Sequence, residues 1–454
     1  MRRLVVLAAI TAASACASFA RWPYLQNLTG SSVVVRWETD VPLPGLVQYG
    51  FTRDYGMEAV QAAPDSLHEV TLAGLASDTG YHYRVICGPD TSPDVRFNSS
   101  ASPGRPFRFF VHGDTRTDSA AHQAVIDRML LVQPEPGFSL HVGDLTEYGT
   151  VADYTTFFNI ERRLLCRTPM FATVGNHDLV TPDNWYRFVV LPGNELWYTL
   201  RYGSAVFHTL STYHPFLPGS EQYEWLLAQL QADSADPTIR HRFVWFHDPP
   251  YTTSMAHTGN LDVQAYLCPL FRNYGVEIVF LGHVHAYERS LVDGVHYVIS
   301  GGGGAPLAYE WYAAEPWTVF RLTCYEFSLV DVRGDSTFCR SIMPDGTVID
   351  SFITTHRVPG MQDTGQTPPR LDIKAVPSPF TGRVQFGFRV GRAGHVRLAV
   401  QNAAGRLVSE LINHRLERGE YTAVWSSSAA GQGIYFITLS TPEGRSVVRV
   451  THAR

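Results

Sequence analysis

Five short polar motifs recur through the middle of the chain, each directly after an apolar run. They are Gly113-Asp114, Gly143-Asp144, Gly175-Asn176-His177-Asp178, His247 and Gly282-His283-Val284-His285. Their side chains are carboxylates, an amide and imidazoles, the oxygen and nitrogen donors that hold divalent metal ions. A donor set of this size suits two cations about 3.5 to 4 Å apart, which neutralise the oxygens of a phosphoester, supply a hydroxide and hold the phosphate for in-line attack. One Asp or His at the end of an apolar run is more often structural. Five motifs in this order argue for a metal site.

The apolar runs must position these groups. Residues Phe107 to Val111, Phe138 to Val142, Met170 to Val174, Phe243 to Phe246 and Ile278 to Leu281 are short and rich in β-branched and aromatic residues, as buried strands are. Helical periodicity over Ala120 to Val132, Glu221 to Ala232 and Asp262 to Asn273 separates several of them. Parallel strands with helical crossovers would bring the motifs together at the strands' carboxyl ends, where open α/β sheets bind ligands. Gly301 to Gly304 lack the Gly-Lys-Ser/Thr ending of a phosphate-binding loop and read as a tight turn beside the site. His112 and His141 read as packed residues that support it.

The flanks are different. Residues 1–20 carry Arg2-Arg3, an apolar stretch and small residues ending at Ala20, an export signal too short to span a bilayer with confidence. A lipid anchor on Cys16 is the second reading of that segment. Residues 22–102 alternate as short strands with turn signals, a β-sandwich pattern. The catalytic segment is expected over 107–356, a linker rich in Gly, Gln, Thr and Pro over 357–370, and a second all-β segment over 371–454.

With 454 residues, 45% of them apolar and 17% charged, the chain is long enough for several globular units. A net charge of -6 gives no basic surface for a nucleic acid duplex. Lys374 is the only lysine, which is read as coding bias. Five cysteines follow Cys16; their odd number and spacing argue for buried thiols, although export would permit a bridge such as Cys324 to Cys339.

The stretch Gly282-His283-Val284-His285-Ala286-Tyr287-Glu288-Arg289-Ser290, with the other four motifs, resembles the calcineurin-like metallophosphoesterases, and among them the purple acid phosphatases. The resemblance covers about residues 22 to 350 and implies a four-layer αββα sandwich flanked by two all-β sandwich domains. The N-terminal one resembles a fibronectin type III domain. The C-terminal one resembles type IX sorting and hook-capping immunoglobulin-like modules, which implies contact with a cell surface or secretion machinery.

By this resemblance one metal takes Asp114, Asp144 and His285, and the other takes Asp144, Asn176, His247 and His283. His177 would contact phosphate and steady charge, and His257 would bind phosphate and protonate the leaving oxygen. Ala256 stands where the resembled family often has the first of two adjacent histidines, and two further departures matter more. Many calcineurin-like enzymes read Asp-x-His where this chain reads Asp114-Thr115-Arg116, and Glu147 stands where purple acid phosphatases place a metal-binding Tyr. Arg116 is therefore assigned to the phosphate rather than to a metal.

The expected function is a secreted or cell-surface phosphatase, colourless and using two divalent ions of Mn, Zn or Fe, that hydrolyses small phosphate monoesters by attack of a metal-bound hydroxide. The alternatives are a phosphodiesterase or nucleotidase of the same fold, and a non-catalytic surface scaffold.

Overall fold

The computed structural model describes residues 19–307, 310–356, 374–376, 380–390, 393–402, 406–427, 430–441 and 444–453. The expected export segment lies outside these residues except for its last two, as do Cys16 and the 357–370 linker. The chain divides into two compact units, Met1–Gln362 and Asp363–Arg454.

Two mixed sheets face each other in the first unit. One places Phe107–His112, Phe138–His141 and Met170–Ala172 side by side and parallel, with Phe327–Arg333 antiparallel to the first. The other places Ala205–Thr209, His241–Trp245, Ile278–Leu281 and Val295–Ser300 in parallel order. Because side chains alternate across a strand, each strand feeds two layers of core. Phe109, Phe138, Phe207, Phe243 and Phe280 point between the sheets, and the Phe109 ring meets Phe207 edge-on at 5.1 Å.

The opposite faces are covered by helices. Phe110 packs on Val125, Ile126 and Met129 of the helix Ser119–Met129 and on Leu164 of the helix Val151–Leu165. On the far side, Val244, Phe246, Val279 and Leu281 pack on Leu226 and Leu230 of the helix Glu221–Ala235 and on Phe271. The result is the expected αββα layering, with aromatic burial at its centre worth about 3 to 5 kcal/mol for each Phe truncated to Ala.

Local structure departs from the sequence reading in two places. The helix expected over Asp262 to Asn273 is a π-turn, Val263–Leu267, followed by the α-helix Cys268–Asn273, whose first turn contains Pro269. Proline has no N–H to donate back along the helix, so the wider turn precedes it. The strands expected at Val33 to Trp37 and Leu46 to Tyr49 are one strand, Ser32–Gly50, which passes Pro42 and Pro44 through register shifts. The five cysteines from Cys87 to Cys339 are thiols, the favoured reading, and the permitted Cys324 to Cys339 bridge is not formed. Cys339 is held mid-sheet between Val330 and Phe352, while the Cys324 thiol turns to the Leu322 carbonyl.

The N-terminal strands are continuous with the first sheet: Phe19–Gln26 meets Met170–Ala172 at Gln26 and Met170. Val33, Val35 and Trp37 alternate into the core, and the Tyr81 hydroxyl accepts the Ala76 N–H at 2.8 Å to fix the bend before Gly80–Cys87. The second unit contains a three-stranded sheet, ordered Lys374–Val376, Arg383–Val390, Gly419–Ser426, and a four-stranded sheet, ordered Leu407–Leu416, Gly394–Asn402, Gly433–Thr441, Gly444–His452. Phe386, Leu398, Trp425, Ile437 and Leu439 form its core. Among the described residues no helix is long and apolar enough to cross a membrane.

Candidate metal centre

Each motif begins where a strand of the sandwich stops, and the loops are tied to one another by their backbones. Asp114 N donates to Gly143 O at 3.0 Å, Thr115 N to Asp144 O at 3.1 Å, and Gly282 N to His247 O at 3.0 Å. Asp114, Asp144 and His283 adopt positive φ of 54°, 55° and 69°, a conformation costing about 1 kcal/mol or more for a residue with a Cβ. These bends turn the three side chains inward. Glycines in these loops are required by space: a Cβ on Gly143, itself at φ 97°, would lie 2.6 Å from His247 Nδ1, and one on Gly175 would collide with Asp144 Oδ1.

Asp114, Asp144 and His247 are buried, and one ligand atom from each lies within 4.8 Å of the others. His247 Nδ1–H donates to Val142 O at 2.7 Å, which leaves Nε2 facing Asp144 Oδ2 at 3.4 Å and His283 Nδ1 at 3.3 Å. Donor atoms about 2.1 Å from a tetrahedral ion stand about 3.4 Å apart, the spacing that separates His247 Nε2 from each of the other two atoms. Asp144 Oδ2 is buried and has no hydrogen bond. Asn176, held by the Tyr213 hydroxyl at 3.3 Å on its Oδ1, belongs to the same group of loops.

The other expected metal position is different. Asp114 accepts the His283 N–H on both oxygens at 3.0 and 3.1 Å, and its Oδ1 lies 3.8 Å from His285 Nε2. Between His285 and Asp144 stands the Arg116 guanidinium, with Nη2 3.2 Å from His285 Nε2 and Nε 3.3 Å from Asp144 Oδ2. Its Nη1 donates to Glu147 Oε2, which also accepts from Thr117 Oγ1 at 2.7 Å. The donors Asp114, Asp144 and His285 are thus close together, but a cation-bearing side chain already faces two of them.

The electrostatics are those of closely packed groups of both signs. Burial alone would lower His247, yet Asp144 and Asp114 push it up to about 10. Burial would raise Asp144, and His247 instead holds it well below the usual carboxylate range. Burial, followed by the charge on His247, lowers His283 to about 2; burial, followed by Arg116, lowers His285 to about 4. Both imidazoles are therefore neutral and able to offer a lone pair. His285 Nδ1–H donates to Pro306 O at 3.1 Å, which leaves Nε2 for the pocket.

His177 and His257 sit beside these groups. The His177 backbone N–H donates to Asp144 Oδ1 at 3.0 Å and its Nδ1–H to the Glu147 carbonyl at 2.8 Å. The half-buried His257 ring lies 3.9 Å, centroid to centroid, from His283, and burial with the charge on His247 lowers its pKa. Gly301 to Gly304 pack against the floor: Gly303 N donates to Gly113 O at 2.9 Å and Ala305 N to Asp114 O at 2.7 Å.

Several supporting residues have no role in the sequence reading. Asp178 accepts from Asp144 N, Gly175 N, Thr146 N and Thr146 Oγ1 at 2.9 to 3.2 Å and so fastens two ligand loops together. Burial and Asp144 push its carboxyl up to about 7. Glu161, on the helix Val151–Leu165, accepts from His112 and His122, each at 3.0 Å. The motif Gly175-Asn176-His177-Asp178 could have pointed to Asp178. Nothing local marks Glu161 or Tyr213, because their partners lie dozens of residues away.

A calcineurin-like phosphoesterase profile matches residues 107–287. The chain is similar to purple acid phosphatase 1 of Ipomoea batatas, at 29% identity over 54% of this chain and 56% of that protein. It is also similar to Fe(3+)-Zn(2+) purple acid phosphatase 12 of Arabidopsis thaliana, at 25% identity over 63% of this chain and 67% of that protein. The chain thus spans between about half and two thirds of these relatives' length. A purple acid phosphatase from seeds of Lupinus luteus shares the fold, with a TM-score of 0.63 and 20% identity over 73% of this chain and 74% of that one. The αββα sandwich and the loops at its strand ends are those of a calcineurin-like phosphoesterase domain, with purple acid phosphatases among its homologues.

Proposed function

We propose that the chain is an exported, metal-dependent phosphatase that hydrolyses phosphate monoesters of small molecules. The observation that carries this reading is that His247 Nε2 stands 3.4 Å from Asp144 Oδ2 and 3.3 Å from His283 Nδ1, three groups on loops far apart in sequence. Asp144, Asn176, His247 and His283 would hold a divalent Mn, Zn or Fe ion. Such an ion neutralises phosphate charge and makes water acidic enough to attack at neutral pH.

The remaining chemistry falls to this chain's own side chains. His177, fixed through Nδ1, presents its other nitrogen to the phosphate and stabilises charge that grows on the phosphoryl oxygens. His257, at the edge of the imidazole group, gives a proton to the leaving oxygen. Arg116 faces the phosphate as a fixed cation. Two metals sharing Asp144 are what the resemblance implies; the donor spacing supports the one at His247 and His283.

Arg2-Arg3 and the apolar stretch after them support export, and the 371–454 segment would make contact with the cell surface or secretion machinery. The test is turnover of p-nitrophenyl phosphate against bis(p-nitrophenyl) phosphate by the full chain loaded with Mn, Zn or Fe. Faster monoester hydrolysis is expected. Preference for the diester would make the chain a phosphodiesterase, and inactivity on both would make it a scaffold.

A further inference from the structure

We propose that the Arg116 guanidinium is a built-in cation of this site, occupying the ground between Asp144 and His285, so that the chain binds one divalent metal ion where the resemblance implies two. The inference rests on the reading of the pocket as a metal centre.

Two donor atoms of the first expected position already face the Arg116 guanidinium. His285 directs its Nδ1–H to Pro306, so the Nε2 lone pair is the one that would ligate a metal, and that atom lies 3.2 Å from Arg116 Nη2. Asp144 Oδ2 is 3.3 Å from Arg116 Nε. A guanidinium stays protonated, cannot ligate, and repels a second cation brought to the same two atoms. For a metal to enter there, Arg116 would have to leave.

The side chain is held against leaving. Glu147 bonds Nη1 and is itself fixed by Thr117 Oγ1, and the Arg116 side chain is only 13% exposed. Arg116 and Glu147 are both positions where the sequence departs from the patterns it resembles, and they are bonded to each other. They act as one unit: Glu147 supplies the anchor and Arg116 the charge.

Arginine also offers what a metal at that place would offer a phosphate, a fixed positive charge with N–H donors in a planar fork. Its bonds to Glu147 keep it in position before substrate arrives. The ion at Asp144, Asn176, His247 and His283 would then face the phosphate on one side and the guanidinium on the other.

The test is metal stoichiometry, measured by mass spectrometry on the full chain after loading with Mn and dialysis, together with the electron paramagnetic resonance spectrum of the bound Mn. The unaltered chain should hold one ion per chain with the six-line spectrum of an isolated Mn. Arg116→His, which removes the guanidinium and adds a donor, should hold two and show spin coupling between them. Two tightly held ions in the unaltered chain would overturn the proposal, as would a single ion in Arg116→His that is folded by circular dichroism. Absence of bound metal from both proteins would overturn the metal-centre reading along with it. Because the unaltered chain is decisive alone, a variant that fails to fold does not spoil the test.

Discussion

His141 donates its Nε2–H to the Thr115 hydroxyl at 3.2 Å and so joins the loop carrying Asp114 to the loop carrying Asp144. The direction follows from the neighbours: Gly143 N–H donates to His141 Nδ1 at 3.3 Å, and the Thr115 hydroxyl spends its own proton on Leu145 O at 3.2 Å. Burial, followed by the charge on His112, holds this imidazole well below its ordinary pKa, so it stays neutral and keeps one donor and one acceptor. Every polar atom of the chain of bonds is satisfied.

His141→Phe keeps the ring's bulk and loses both bonds. The two ligand loops should then lose their relative alignment, and metal affinity should fall by about 10- to 100-fold, as when a metal ligand loses its orienting partner. Competition against a chelator reads this directly. Unchanged affinity in a folded variant would mean that the loops are aligned by their backbone bonds alone.

Glu161 accepts from two buried imidazoles, His112 and His122. Glu161→Ala would strand both buried donors and should cost about 3 to 5 kcal/mol of stability. Glu161→Gln retains an oxygen for the two N–H groups and should cost less. Urea denaturation of the pair distinguishes a bonded network from simple packing, which would make the two variants equal.

Much of the first unit was legible in the sequence because buried parallel strands are continuous apolar runs, and each ended at a recognisable polar motif. What was hidden depends on distance along the chain. Glu161 sits in Glu161-Arg162-Arg163, a run that reads as a solvated helix face, yet Glu161 is fully buried because His112 and His122 need its carboxylate. The long strand Ser32–Gly50 was concealed by Pro42 and Pro44, which it accommodates where its pairing with Met57–Ala73 slips. The guanidinium of Arg116 reads as a phosphate contact until its pairing with Glu147, thirty-one residues away, is seen.

Glu326 is buried beneath the site and takes the Ser300 hydroxyl at 3.0 Å on each oxygen and the Gly302 N–H at 3.4 Å. Burial raises its pKa from an ordinary 4.5 to about 8. Between these values the folded chain keeps a proton that the unfolded chain releases, so Glu326 makes stability fall as pH rises from about 4.5 to about 8, and adds no further slope above that. Glu326→Gln removes this slope. Thermal melts of chelator-treated protein across that window should be flatter in the variant, with the gain greatest near pH 8. Parallel curves for the two proteins would place the titration on another group.

His257 is the group assigned to the leaving oxygen, and the leaving group itself can test that role. An aryl oxygen such as p-nitrophenolate departs without a proton, whereas an alkyl oxygen needs one as the P–O bond breaks. His257→Asn should therefore lower kcat on an alkyl phosphate by about 10²-fold or more and on p-nitrophenyl phosphate by much less. The ring lies 3.9 Å from His283, so the variant could also disturb a metal ligand. That disturbance would slow both substrates alike and would release metal. A selective loss on the alkyl ester with metal content intact supports proton donation by His257, and an equal loss on both esters removes it from that role.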